Sequence, residues 1–329
     1  MLNIEIAEAI KNVDLFSMAE KERYAPSLYT DDEKIVASQL DEYFKQIGET
    51  GNDAQREIAA FLTRVIDEEI YNTPDELLDA LFDRGSIGEF DDSRAITTPK
   101  NTLVAYEAAK GGNVNRSWLD ISTIAPTTKH LQVESDISYA DLRRNGWKTI
   151  SIITTYATAA LKNKMFKTIF DAIDAAITTG AENLISESTA KPTQATMDAL
   201  ALYLNDRGGG TIVALSKYIQ AASKLTGFDS DSMRNEVNRN GFLGTYDGCS
   251  LYRVSAAEKL GDGSLMIPDK RMFGIAGKIG TLDMKGSTRV YETPDNNDEK
   301  YHIKVTGFEF SYAFNADTLD NVAKVVFDG

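Results

Sequence analysis

The chain has 329 residues, 42% hydrophobic and 26% charged, which is ordinary for a globular protein long enough for two or three domains. It contains no apolar run of membrane-spanning length, and its N-terminal Met-Leu-Asn-Ile-Glu-Ile-Ala-Glu is acidic and amphipathic, unlike a secretory signal. A single cysteine, Cys249, excludes an intrachain disulfide or a thiolate metal cluster built by one chain, and points to synthesis in a reducing cytoplasm.

The net charge of −15 is concentrated at the front: residues 1–99 carry 23 acidic against 9 basic side chains, while the other 230 are nearly balanced. This is not the basic footprint of a dedicated nucleic-acid binder. Solvated faces on acidic helices would explain it; a compartment lining that repels anionic contents is the sharper reading. Three helices are expected here. Thr30-Asp-Asp-Glu33 is a capping box opening a helix with Val36, Leu40, Tyr43, Phe44 and Ile47 on one face, closed at Gly48. Asn52 or Asp53 caps a second, with Ile58, Phe61, Leu62, Val65 and Ile66. Thr73-Pro-Asp-Glu76 repeats the box with proline at the first helical position, and Gly85 follows Leu81 and Phe82. Glu33, Asp41, Glu68 and Asp79 read as exposed acids, and residues 85–100 read as a hinge.

Next comes a long hairpin. Residues 101–107 read as a strand, 108–115 as a turn-rich tip, and 118–133 as a second extended run that Pro126 bends or places on an edge. Leu103, Ala105, Ile121 and Thr123 have no evident cover within the chain. A short lead-in, 136–142, precedes Gly146 and a helix over 147–178. Ile150, Ile153, Ala157, Leu161, Met165, Ile169, Ile173 and Ile177 mark one face of that helix, which would run about 48 Å. Ile153 and Ile169 are expected to pack on strands of the same chain.

Beyond it the pattern is mixed α/β. Residues 193–205 form a helix that Arg207-Gly-Gly-Gly210 ends, 211–215 is a short buried strand, and Ser216 caps a helix through Ile219 and Leu225. Residues 241–254 read as a glycine corner and a strand, with further strands at 264–267 and 272–276. Phe308, Phe310, Tyr312 and Phe314 alternate with Glu309, Ser311 and Ala313, a strand with one buried aromatic face.

The search for chemistry nominates no catalytic, cofactor-binding or metal-ligating residue. His130 and His302 lie apart on expected strands, where a strand histidine is commoner than a base or ligand. Arg207-Gly-Gly-Gly-Thr211 stands after a helix and before a strand, the reverse of a phosphate loop, and reads as a helix stop. Asp67-Glu-Glu69 and Asp91-Asp92 lack a cation-loop pattern and read as solvated charge.

In its order of parts the chain resembles the major capsid proteins of tailed bacteriophages, the Hong Kong 97 fold. The residues carrying the resemblance are the hairpin 101–133 with its lead-in, the helix 147–178, the strand–helix pair 211–225, the corner 241–248 leading into 251–254, and the aromatic strand 308–314. The likeness is architectural and covers roughly 95–329. It implies an α+β fold divided into an acidic helical arm (1–97), an extended hairpin and lead-in (98–146), a spine helix of a peripheral domain (147–190), an apical α/β domain (191–258) and return strands (259–329). It further implies a non-enzymatic subunit that self-assembles as hexamers and pentamers into an icosahedral head around double-stranded DNA. Portal, scaffold or decoration proteins are its conceivable partners, with no membrane and no cofactor, and its place is the virion. Some relatives crosslink a hairpin lysine to a neighbour's asparagine; Lys110 and Asn315 stand in comparable places, but no one-for-one correspondence can be drawn. The segment before Lys100 resembles in position a leader that some relatives remove, and is expected to be retained. An encapsulin-type nanocompartment shares this fold and is the first alternative; a small soluble α/β enzyme is the second.

Overall fold

The computed structural model describes residues 13–328 except 51, 73–74, 101–102, 108–109, 111–115, 118–119, 179, 226–243, 257–260, 296–299 and 315–317. Among the described residues four α-helices come first: α1 (Leu15–Tyr24), α2 (Asp31–Thr50), α3 (Asn52–Asn72) and α4 (Glu76–Leu81). The Thr30 box forms as expected: Glu33 Oε2 accepts from the Thr30 N–H at 2.8 Å, and Thr30 Oγ1 accepts from the Glu33 N–H at 3.3 Å. Gly48 does not close the helix, which runs on to Thr50. At α4 the cap is Asp75, whose carboxylate accepts from the Leu77 and Leu78 amides. Glu33 is buried and bonded to Lys21, which with the Thr30 amide holds its carboxyl below the usual range; the expectation of an exposed acid fails there.

The first three helices lie on the spine helix α6 (Trp147–Ala176), which follows the short α5 (Tyr139–Asn145), while α4 packs beside the first strand. Gly146 joins the two at φ +44, and a Cβ there would come within 2.4 Å of Asp41 Oδ1, the atom that accepts from the Trp147 amide. The expected stripe on α6 is buried, except that Ile153 is only half-buried. A second face, Ser151, Thr154, Thr155 and Thr158, is buried too. Thr154 and Thr155 turn their hydroxyls back onto the carbonyls of Ile150 and Ser151, which satisfies those two inside the helix and lets its surface pack, while the buried Thr158 hydroxyl finds no partner among the described residues. Toward its C-terminus α6 meets other elements: Phe170 packs on Phe273 with ring centroids 5.4 Å apart, and the buried Lys324 ammonium donates to the Asp174 and Ile177 carbonyls at 2.7 Å each.

The first sheet contains β1 (Phe82–Ile87), β10 (Gly280–Lys285), β12 (Lys300–Ala313) and β11 (Arg289–Asp295) in that order, with β4 (Thr127–Ser138) on β12. β10 and β11 follow one another along one side of β12, and β4 runs along the other. The expected aromatic alternation is there, Phe308 and Phe310 fully buried and Tyr312 stacked on Phe314. The opposite face is also covered, with Ser311 and Ala313 buried, because β12 is central and not a surface strand. A register shift between Val305 and Phe308 accommodates Gly307 at φ +84. Helix α3 covers β11: Asp67 accepts from the Thr288 amide and hydroxyl at 2.7 Å, and Thr63 accepts from the Val290 amide at 3.1 Å.

The second sheet runs β5 (Leu184–Glu187), β13 (Val322–Phe327), β9 (Arg271–Ile275), β6 (Thr211–Leu215), β8 (Cys249–Val254) and β7 (Thr245–Tyr246). Helices α7 (Gln194–Asn205) and α8 (Ser216–Ala222) pack on it. Thr193 caps α7 as the sequence indicates. Ser216 caps nothing; its hydroxyl donates to the Val254 carbonyl, and α8 ends at Ala222. Residues 264–267 carry only a single bridge in place of the expected strand; of the corner 241–248, residues 241–243 lie outside the described residues, and the rest is β7 and a turn with Asp247 and Gly248 at positive φ. Strands β1, β5, β10, β11 and β13 had no counterpart in the sequence reading.

Candidate assembly surface

No catalytic constellation forms among the residues that carried any chemical interest. His302 Nδ1 lies 2.9 Å from Asp136 Oδ1 across β12 and β4, and His130 faces the Thr306 hydroxyl at 3.3 Å, so each sits in a local cross-strand contact. Asp67 serves β11, and Glu69 pairs with Lys162 of α6 at 2.5 Å, which divides the acidic run between two structural jobs. Asp91 accepts from the Gly88 amide in a turn. Among the described residues no group of three or more His, Cys, Asp or Glu could hold a metal. The loop 207–210 is the helix stop its order implied: Gly208 and Gly209 take positive φ and bond back to Asn205 and Leu204. Cys249 is buried, which pushes its thiol up in pKa and away from reactivity.

What stands out is a two-stranded ribbon. β2 (Ile96–Lys100) pairs antiparallel with β3 (Asp120–Ile124) in a sheet of its own. The hairpin of the sequence reading is therefore real but displaced. Its first strand lies before residue 101, and the described residues 103–107 are not a strand. Pro99 lies within the first strand, where a two-stranded ribbon tolerates the missing donor on its outer edge. The second run divides at Ala125-Pro126, after which β4 enters the first sheet. Leu103, Val104, Tyr106 and Ile121 are 58%, 55%, 47% and 59% exposed. Lys110 is exposed at the tip, and Asn315 lies outside the described residues.

The root of the ribbon is fastened. The sequence reading placed a hinge over 85–100, but β1 occupies 82–87 and Arg94 is tied to two acids. The Arg94 N–H donates to Asp283 Oδ2 at 2.8 Å, Nε to Oδ1 at 2.6 Å, and Nη1 to Asp83 at 2.9 Å. Asp283 is 1% exposed. Hydrogen bonding to Arg94 holds the Asp83 carboxyl below the usual range. No local pattern in the sequence pointed to Asp83 or Asp283 as a partner of Arg94.

A second exposed apolar group lies on the helical layer, where Arg23 spans the rings of Tyr24 and Tyr156 at 4.5 and 3.9 Å beside the exposed Leu28. Exposed apolar groups of this kind are surfaces that association can cover.

The family model described as "SPbeta prophage-derived putative capsid protein YonB" matches residues 6–313. The chain belongs to the YonB capsid family. No curated protein matches it. Among solved structures, this YonB-family protein superposes on one from Gordonia phage Cozz with a TM-score of 0.52 at 10% identity, over 78% of this chain and 92% of the other. One from Mycobacterium phage Ogopogo gives 0.51 at 12%, over 79% and 98%, and the mature capsid of bacteriophage PhiM1 gives 0.50 at 12%, over 74% and 85%. These likenesses establish the Hong Kong 97-type fold. The YonB-family chain is a major capsid protein that self-assembles into a phage shell, and its place is the virion. Among the described residues no helix is long and apolar enough to cross a membrane.

Proposed function

We propose that copies of this chain close an icosahedral head of hexamers and pentamers by laying the ribbon 96–124 of each subunit on an adjacent one. The carrying observation is the ribbon itself: two paired strands, with no third strand beside them among the described residues, and four large apolar residues turned to solvent. An isolated two-stranded ribbon is marginal in water, so a neighbour's surface supplies the missing cover. In this reading the second sheet with α7 and α8 is the apical domain, and α6 with the first sheet is the peripheral one. The acidic helices over 13–81 brace α6 and turn their remaining charge to the interior or to a seam, where packed DNA presses without adhering, since DNA carries one charge per about 1.7 Å of duplex.

Deleting 108–115 tests the proposal. The variant should remain a folded monomer by circular dichroism and fail to give megadalton particles by light scattering; normal particles would overturn it. Wild-type particles should protect DNA from nuclease. A co-purifying cargo enzyme in place of DNA would move the protein to the nanocompartment class.

A further inference from the structure

We propose that Arg94 is a positioning residue for shell closure: it fixes the direction in which the ribbon leaves the subunit. The inference rests on the reading that the ribbon docks on a neighbour, and it names what aims it.

The ribbon has two roots. One is Ala125-Pro126, after which β4 is paired to β12 almost throughout. The other is the strap 88–95, which is not in a strand and would let β2 swing unless something held it. Arg94 is that hold. Its amide and Nε grip the two oxygens of one buried carboxylate on β10, its Nη1 takes the Asp83 carboxylate and its Nη2 the Asp83 carbonyl on β1. The Arg94 carbonyl in turn accepts from the Thr281 hydroxyl at 3.3 Å. Contacts to two adjacent strands through a planar fork define an orientation and not only a position. The strands are shaped for it. A Cβ on Gly85 would stand 2.6 Å from Arg94 Nη2 and 2.8 Å from Asp283 Oδ1, so only glycine leaves room for the pair. Two residues on, Ile96 begins β2 close over Gly280, where a Cβ would lie 3.1 Å from Ile96 Cδ1. A small change of angle here is multiplied along the ribbon toward its exposed tip.

A plain structural salt bridge would predict something different, and the two separate cleanly. Arg94→Ala leaves Asp283 buried and unpaired, so it should lower the melting temperature as well as block assembly. Adding Asp283→Asn removes the stranded charge. The double variant should recover most of the melting temperature yet still yield closed shells at about one-tenth of the wild-type level or less, with open or irregular assemblies in negative-stain images. Arg94→Lys keeps the charge but not the fork and should fall between. If the double variant does not fold, Gly85→Ala supplies the same answer, since its methyl displaces the flexible end of Arg94 with every charge retained. Uniform shells at wild-type yield from either folded variant would overturn the positioning role. The 108–115 deletion run beside them tells the two readings apart: shells from the deletion discard ribbon docking altogether, whereas a deletion that blocks closure beside a double variant that does not discards Arg94 alone.

Discussion

The spine helix and the ribbon are neighbours in sequence and opposites in how they are satisfied. Helix α6 buries Ile150, Leu161, Ile169 and Ile173 within its own subunit, and its buried Thr154 and Thr155 find acceptors one turn back. The ribbon leaves Leu103, Val104, Tyr106 and Ile121 in water. One region puts its hydrophobic free energy into folding the subunit. The other leaves it unused in the lone subunit, where the proposed docking would draw on it.

Substitutions can break or sharpen that contrast. Ile169→Asp places an unpaired charge where the native residue is 0% exposed, at a cost of several kcal/mol, and should leave the protein insoluble. A soluble, assembling variant would show that this face is not core. Phe308→Ala opens a cavity under the same helix-and-sheet core and should cost about 3–5 kcal/mol, read as a fall in the denaturation midpoint.

Glu187 provides a pH handle on the second sheet. Its carboxylate accepts from the Thr193 and Thr196 hydroxyls and the Thr189 amide, which lowers its pKa from 4.5 to about 2. A group depressed in the folded state stabilises fully above its unfolded pKa, so its contribution is present at neutral pH and lost as pH falls from about 4.5 toward about 2. Glu187→Gln should cost about 1–3 kcal/mol at pH 7 and flatten the stability profile in that window, as thermal melts across acid pH would record.

Thr30→Ala removes one half of the capping box and should cost about 0.5–2 kcal/mol by denaturant titration. The smallest effect on the subunit belongs to the ribbon. Leu103→Ser with Ile121→Ser should change subunit stability by less than about 0.5 kcal/mol yet abolish particles by light scattering. Loss of stability without loss of assembly would reverse the contrast.

What the sequence disclosed follows the same divide. Elements held by local rules were legible: the Thr30 box, the Thr193 cap, the long helix, the aromatic period of β12 and the glycine stop after Asn205. Strands held by partners far along the chain were not. β13 pairs with β5 and β9, and β1 pairs with β10 nearly two hundred residues away, and neither carries a strong alternation of its own. The buried threonine face of α6 was hidden because hydroxyls read as polar until their back-bonds are seen. The ribbon was visible as a hairpin but was set several residues late, since its first strand fell in the stretch 85–100 that read as a hinge. Arg94 belonged to a pairing that no local pattern encodes.

The pairing of β4 with β12 has a mechanical side. β4 continues directly from the ribbon, and 11 of its residues are in register with β12, from Ser138 opposite Lys300 to Thr127 opposite Tyr312. Inter-strand hydrogen bonds lie across the strands, so a pull on the ribbon along β4 shears the whole ladder at once and does not peel it bond by bond. On its far side β12 is clasped by β10 and β11 end to end, which passes the strain into the sheet and on to α3. A load that enters the subunit through the ribbon thus meets it along a direction in which it is hard to tear.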